Sequence, residues 1–226
     1  MRGVSLFFCL LLVGMTWLPS TAHADEPLNA NVTLCLQPLG DFNKTMLKAS
    51  AKGVEQLYGF RVEILPALAM PKSAWYSPRK RYRAEVLLDF LRDDVLPRTR
   101  CKFIVGFTSH DISTTKDDHK DWGILGLGEV GGVAAVVSSF RTHKRLKKPH
   151  TAIRRVVKVV NHEIGHVMGL PHVKGEGCLM NDAEGTVDTV DLENGLLCQP
   201  TIDFIEQHRG YRIPKLETFD WKTIEP

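Results

Sequence analysis

Beyond its amino terminus the chain has no apolar run long enough to cross a bilayer. It has no excess of one charge either: Lys and Arg total 29 and Asp and Glu 26, a formal net charge of +3. So balanced a surface gives no reason to expect a nucleic acid or other polyanionic partner. Internal repeats, low-complexity tracts and interdomain linkers are missing, which argues against a solenoid and against a second domain. Cysteine is scarce, with five in 226 residues, and one of these is Cys9 in the amino-terminal apolar stretch. The others, Cys35, Cys101, Cys178 and Cys198, allow two disulfides in any of three pairings.

What is present begins with a leader. Arg2 precedes an apolar stretch from Val4 to Leu18, and Ala22-His23-Ala24 follows it. A positive start, an apolar middle and a small-residue cleavage site together read as a signal peptide, residues 1–24. The competing reading, an uncleaved anchor, suits so short a run less well. The expected product, residues 25–226, is exported to a periplasm or secreted, without a membrane anchor after cleavage. It has the size of one well-packed domain, expected to be a monomer. An oxidising compartment suits the disulfides. Two sequons, Asn31-Val32-Thr33 and Asn43-Lys44-Thr45, matter only in a host that glycosylates. Too few residues separate Ala24 from the first expected strand for a propeptide.

The first half of the chain alternates strand and helix signals. Strands are expected at Asn31–Gln37, Phe60–Leu68 and Cys101–Phe107, the last nearly all apolar, as in a sheet covered on both faces. Helices are expected from an Asp41 cap to Tyr58, ended by Gly59, and over Arg81–Val95, ended by Pro97. This alternation implies an α/β domain with largely parallel strands. Ser109–Asp121 reads as a charged loop. Its Asp111, Asp117, Asp118, His119 and Asp121 lack EF-hand spacing, so a calcium site is not inferred. Gly126-Leu127-Gly128-Glu129-Val130-Gly131 satisfies G-x-G-x-x-G, yet a strand, Val133–Phe140, follows where a nucleotide fingerprint must open a helix. Gly131-Gly132 reads instead as a turn into that strand. The basic run Arg141–Lys148 lacks interleaved aromatics, which disfavours single-stranded nucleic acid. Its position just before the next helix could place it at a substrate entrance, favouring acidic peptides. A short final helix is expected over Ile202–Arg209.

The chemistry sits in His162-Glu163-Ile164-Gly165-His166-Val167-Met168-Gly169-Leu170-Pro171-His172. On a helix, His162 and His166 share one face at a separation of about 5–6 Å between Cβ atoms, suited to one metal ion. Glu163 lies about 100° around the helix, where it can reach a water without ligating the metal. Gly169 permits a left-handed turn, Pro171 stops the helix, and His172 returns as third ligand. Three protein ligands leave a fourth position open, the arrangement of a catalytic rather than a structural zinc. Valines and isoleucines from Val156 to Val167 form helix reluctantly, so tertiary burial is expected to hold this one.

Met180, eight residues beyond His172, extends the motif into one that resembles the metzincin metallopeptidases, in which a methionine turn lies beneath the zinc. The closer resemblance is to the archaemetzincins. Cys178-Leu179-Met180, and the seventeen residues between Met180 and Cys198, fit that family's cysteine pattern. The segment Tyr82-Arg83-Ala84-Glu85 and the stretch from Val133 to Arg141 are similar too, and the likeness runs from about Val32 to Arg209. It implies a single metzincin-like α/β domain: a mixed, mostly parallel sheet with an edge strand over the active site, and an active-site helix followed by the Met-turn. The stretch Val133–Phe140 is the expected edge strand. The family's second, structural zinc takes four cysteines, but this chain has Val173 after His172 and ends its C-x-x-C equivalent in Thr201. With two ligands missing, that zinc is expected to be absent. The resemblance then implies a Cys178–Cys198 disulfide in its place, with Cys35 and Cys101 forming the other.

The function so implied is a zinc-dependent peptidase that cleaves peptide or protein substrates with a metal-activated water and Glu163 as general base. Two alternatives remain at this stage. One is a zinc-binding protein without turnover, for which Glu163 would be superfluous. The other is a zinc hydrolase acting on a non-peptide amide or a cell-wall cross-link.

Overall fold

A computed structural model describes residues 29–226, except 147 and 149; the leader, residues 1–24, lies outside them. Its main sheet has five strands in the order β2-β1-β5-β9-β8. Strand β1 (Asn29–Pro38) pairs in parallel with both β2 (Phe60–Ile64) and β5 (Phe103–Thr108). Strand β9 (Ala134–Ser138) runs parallel to β5, and β8 (Gly126–Gly128) closes the edge antiparallel to β9. The sheet is therefore mixed and mostly parallel. Its edge strand is β8, not the Val133–Phe140 stretch, because β9 is hydrogen-bonded on both sides. The complete burial of β9, apolar except for Ser138, is the mark of such an interior position.

Both faces of the sheet are covered, and alternate residues serve alternate cores. Leu34, Leu36, Phe103, Val105, Phe107, Ala135 and Val137 point to one face, where α1 (Lys44–Tyr58) and α3 (Thr151–Val167) pack. Cys35, Ile104, Ala134 and Val136 point to the other, under α2 (Ala84–Asp89). Helix α1 is capped by Asn43 rather than Asp41: the Asn43 side chain accepts from the amides of Thr45 and Met46. Gly59 ends it in the left-handed region, as the sequence implies. Helix α3 is buried along most of its length, including Val156, Val157, Val160 and Ile164, which is how a run of β-branched residues stays helical. The Tyr58 hydroxyl donates to the Asn161 carbonyl at 2.6 Å and fixes α3 against α1.

A second sheet, in the order β3-β4-β6-β7, was not foreseen. It comprises β3 (Trp75–Tyr76), β4 (Arg81–Arg83), β6 (Ile112–Lys116) and β7 (His119–Ile124). Arg81–Arg83 is thus a strand; the expected helix starts only at Ala84, widens into π-type turns over Phe90–Val95 and ends in a 3-10 turn at Leu96–Arg98. Strand β2 stops at Ile64, and Leu68 makes only an isolated bridge to Leu39. The stretch read as a charged loop is the β6–β7 hairpin, turning at Asp117 with positive φ. Asp111 and Asp121 are not cation ligands there: they pair with Arg79, Arg81 and Arg141 beneath the hairpin. Carboxyl-terminal to α3 lie α4 (Val187–Leu192), α5 (Gln199–Arg209) and α6 (Trp221–Ile224). Among the described residues no helix is long and apolar enough to cross a membrane.

Candidate active site

Helix α3 presents His162 and His166 on one face, and the chain turns back after it to add His172. The turn depends on Gly169, whose φ of +89° would strain a residue with a side chain. The three Nε2 atoms form a near-equilateral triangle: 3.1 Å from His162 to His166, 3.2 Å from His162 to His172 and 3.1 Å from His166 to His172. Nitrogens that each sit about 2.0–2.1 Å from a tetrahedral zinc are about 3.3 Å apart, so the donor set fits that ion.

The second ring nitrogens explain why the Nε2 lone pairs converge. His162 Nδ1–H donates to the Leu179 carbonyl at 2.7 Å, and His166 Nδ1–H to that of Leu170 at 2.8 Å. His172 Nδ1 lies 3.5 Å from an Asp182 carboxylate oxygen. Such partners fix ring orientation and tautomer. Asp182 is itself held by the Glu184 amide at 2.8 Å and faces Lys116 of β6. Partial burial raises its pKa, but the Glu184 amide, His172 and Lys116 together keep the carboxyl below its ordinary value. Burial, with His166 nearby, pushes the His162 pKa down to about 3, and burial also lowers that of His166. Both imidazoles are therefore neutral and competent to bind a cation.

Glu163 is buried beside this triangle, and desolvation raises its pKa to about 8 against the opposing pull of the Gly128 amide. Edge strand β8 lies directly over it. A Cβ on Gly126 would come within 2.4 Å of Glu163 Oε1, and one on Gly128 within 2.5 Å of the Glu163 main-chain oxygen. The glycines that mimic a nucleotide fingerprint are thus what lets the edge strand approach the helix. Beneath the histidines, Met180 is fully buried, and a Cβ on Gly165 would meet its sulfur at 2.3 Å.

The structure joins Cys178 to Cys198 and Cys35 to Cys101 as disulfides, with Cα separations of 5.3 Å and 5.8 Å. Val173 packs against the main core, and the Thr201 hydroxyl lies 3.7 Å from Cys198 Sγ.

A cleft of about 460 Å³ runs over the site, between the β6–β7 hairpin, β8, α3 and the segments around Asp182 and Glu193. Its charged lining is Lys116 against Glu163, Asp182, Glu184 and Glu193. No described residue of the basic run Arg141–Lys148 lines it: Arg141 is tied to Asp111 and Arg145 to Asp188. The cleft lining carries more acidic than basic side chains, and the expectation that this run lines the entrance and favours acidic peptides is not met. Asp182, Gly165 and Glu193 were not anticipated as site residues. A carboxylate ten residues beyond His172 leaves no signal of its own in a single sequence.

Comparison with known proteins decides the family. The model of peptidase family M54 matches residues 39–207. The chain belongs to that family. It is accordingly a zinc metallopeptidase. Relatives called archaemetzincin include one from Methanocaldococcus jannaschii, 29% identical over 184 residues that cover 80% of this chain and 96% of the relative. Another, from Saccharolobus islandicus, is 31% identical over 160 residues, covering 68% and 82%. The crystal structure of the Archaeoglobus fulgidus archaemetzincin superposes with a TM-score of 0.65 at 26% identity, covering 76% of this chain and 99% of that one. That from Methanopyrus kandleri, at 24% identity and TM-score 0.68, shares the fold over 79% and 96%.

Proposed function

We propose that the chain is an exported peptidase with one catalytic zinc held by His162, His166 and His172, and with Glu163 as general base. The observation that carries this reading is the triangle of Nε2 atoms beside a buried carboxylate. Zinc, when bound there, would supply Lewis acidity toward both the attacking water and the scissile carbonyl. Glu163 accepts a proton from the attacking water and returns it to the leaving amine. Its burial favours the protonated form, the form that donates to the leaving amine. The Leu179 and Leu170 carbonyls and Asp182 hold the three imidazoles in place, and Met180 closes the site from below. An extended peptide or protein substrate lies along β8, which has no partner strand on its outer side among the described residues; pairing of that kind supplies affinity with little side-chain selectivity. The Cys178–Cys198 disulfide does the cross-linking that a second, structural zinc does in four-cysteine relatives, which suits a chain exported by its leader as a monomer.

Glu163→Gln tests the reading. The variant is expected to keep stoichiometric zinc while peptide hydrolysis, assayed with and without chelator on mixed peptides, falls at least about a hundredfold. Activity surviving in that variant would exclude Glu163 as the base.

A further inference from the structure

One wall of the cleft is formed where α3 meets the end of α4, and there Val159 and His162 face Val190 and Glu193. Glu193 is only 5% exposed, yet it lines the cleft. Its carboxylate makes no hydrogen bond among the described residues. The nearest cation is Lys158, one turn before His162 on α3, but the Lys158 ammonium is engaged with main-chain oxygens, donating to the carbonyls of Val190 and of Glu193 itself. Lys158 therefore lends Glu193 charge while spending two of its three N–H groups elsewhere. Burial without a donor pushes the Glu193 carboxyl up to about 8 even with Lys158 nearby, so a cationic ligand bringing N–H donors would stabilise its ionised form. The rest of the lining adds to the effect, since Asp182 and Glu184 outnumber Lys116.

We propose that Glu193 is the specificity residue of this peptidase: it selects a cationic group, a guanidinium or an ammonium, flanking the scissile bond, so that basic peptides are the preferred substrates. This rests on the peptide-cleaving reading above. The cation comes either from an Arg or Lys side chain or from the amino terminus of the peptide, and both present the N–H donors that Glu193 lacks. The geometry suits a guanidinium well, because its planar fork matches a carboxylate.

The test uses the zinc-loaded mature protein and peptides identical except for one residue, Arg or its neutral isostere citrulline, each with a free or an acetylated amino terminus. Hydrolysis is read as the Arg-to-citrulline ratio of kcat/KM, and binding as the same ratio of Kd in a Glu163→Gln background. The ratio is internal to each protein and so does not depend on how much of a variant is folded. Wild type is expected to favour Arg about tenfold to a hundredfold, the range for a hydrogen bond to a charged group. Glu193→Gln should bring the ratio near one, and Glu193→Asp should leave an intermediate value. Should acetylation, rather than the Arg exchange, abolish the preference in a Glu193-dependent way, the cation selected is the amino terminus. A wild type indifferent to both changes, or a preference undiminished in Glu193→Gln, overturns the proposal. Glu193-dependent binding preference without hydrolysis of any peptide would refute the peptidase reading and leave this one standing.

Discussion

Gly128 brings its main chain so close to Glu163 that a single methyl group on it would sit 2.5 Å from the Glu163 carbonyl oxygen. Gly126, two residues earlier on the same face of β8, stands equally close to the Glu163 carboxylate. The edge strand and the active-site helix are thus in direct contact through two positions that tolerate no side chain.

Gly126→Ala is expected to displace the carboxylate. Overpacking of this kind costs about 1–3 kcal/mol in stability, and a misplacement near 1 Å costs about a hundredfold in rate. Denaturant unfolding and peptide turnover, measured on the same preparation, check both, with zinc content unchanged.

Asp182→Asn removes the charged partner of His172 Nδ1. Losing such a partner lowers metal affinity about tenfold to a hundredfold. Competition with a chromogenic chelator reads this directly, and an unchanged zinc affinity would show that His172 needs no orienting carboxylate.

Arg155, one turn before Val159 on α3, is 1% exposed, and its guanidinium bonds both oxygens of Asp191 at 2.7 Å. It also donates to the Thr142 and Lys144 carbonyls, tying the basic loop and α4 to the active-site helix. Asp191→Ala leaves that charge buried without its anion and should destabilise the domain by about 3 kcal/mol or more. A thermal or denaturant melt is the measurement.

The Cys178–Cys198 bridge spans a sequence separation of 20. Replacing both with Ser should cost about 3 kcal/mol on loop entropy. A thiol count on unreduced, unfolded mature protein should find Cys35, Cys101, Cys178 and Cys198 all oxidised. Free thiols at Cys178 or Cys198 would contradict the proposed exchange of a metal for a disulfide.

Some of this was legible in the residues and some was not, for identifiable reasons. The ligand spacing from His162 to His172, the turn at Gly169 and the buried strand β5 are local patterns, and each is found where the sequence places it. The β6–β7 hairpin was hidden by its charges: Lys116, Asp117, Asp118 and Lys120 face solvent, so the strands carry no apolar alternation. The β-branched run Ile112-Ser113-Thr114-Thr115 was the signal available. The edge strand was assigned to the apolar Val133–Phe140 stretch because β8 is only three residues long and two are glycine. Its meaning depends on Glu163 lying against it, a contact between segments more than thirty residues apart. Asp182 and Glu193 likewise gain their roles from tertiary neighbours, His172 and the cleft, that no local pattern encodes.

The most direct test of the metal centre is elemental analysis of purified mature protein together with His166→Ala. One zinc per chain, lost in His166→Ala while the four cysteines remain oxidised, is the expected result. Two zinc ions per chain, or one that survives His166→Ala, would contradict it.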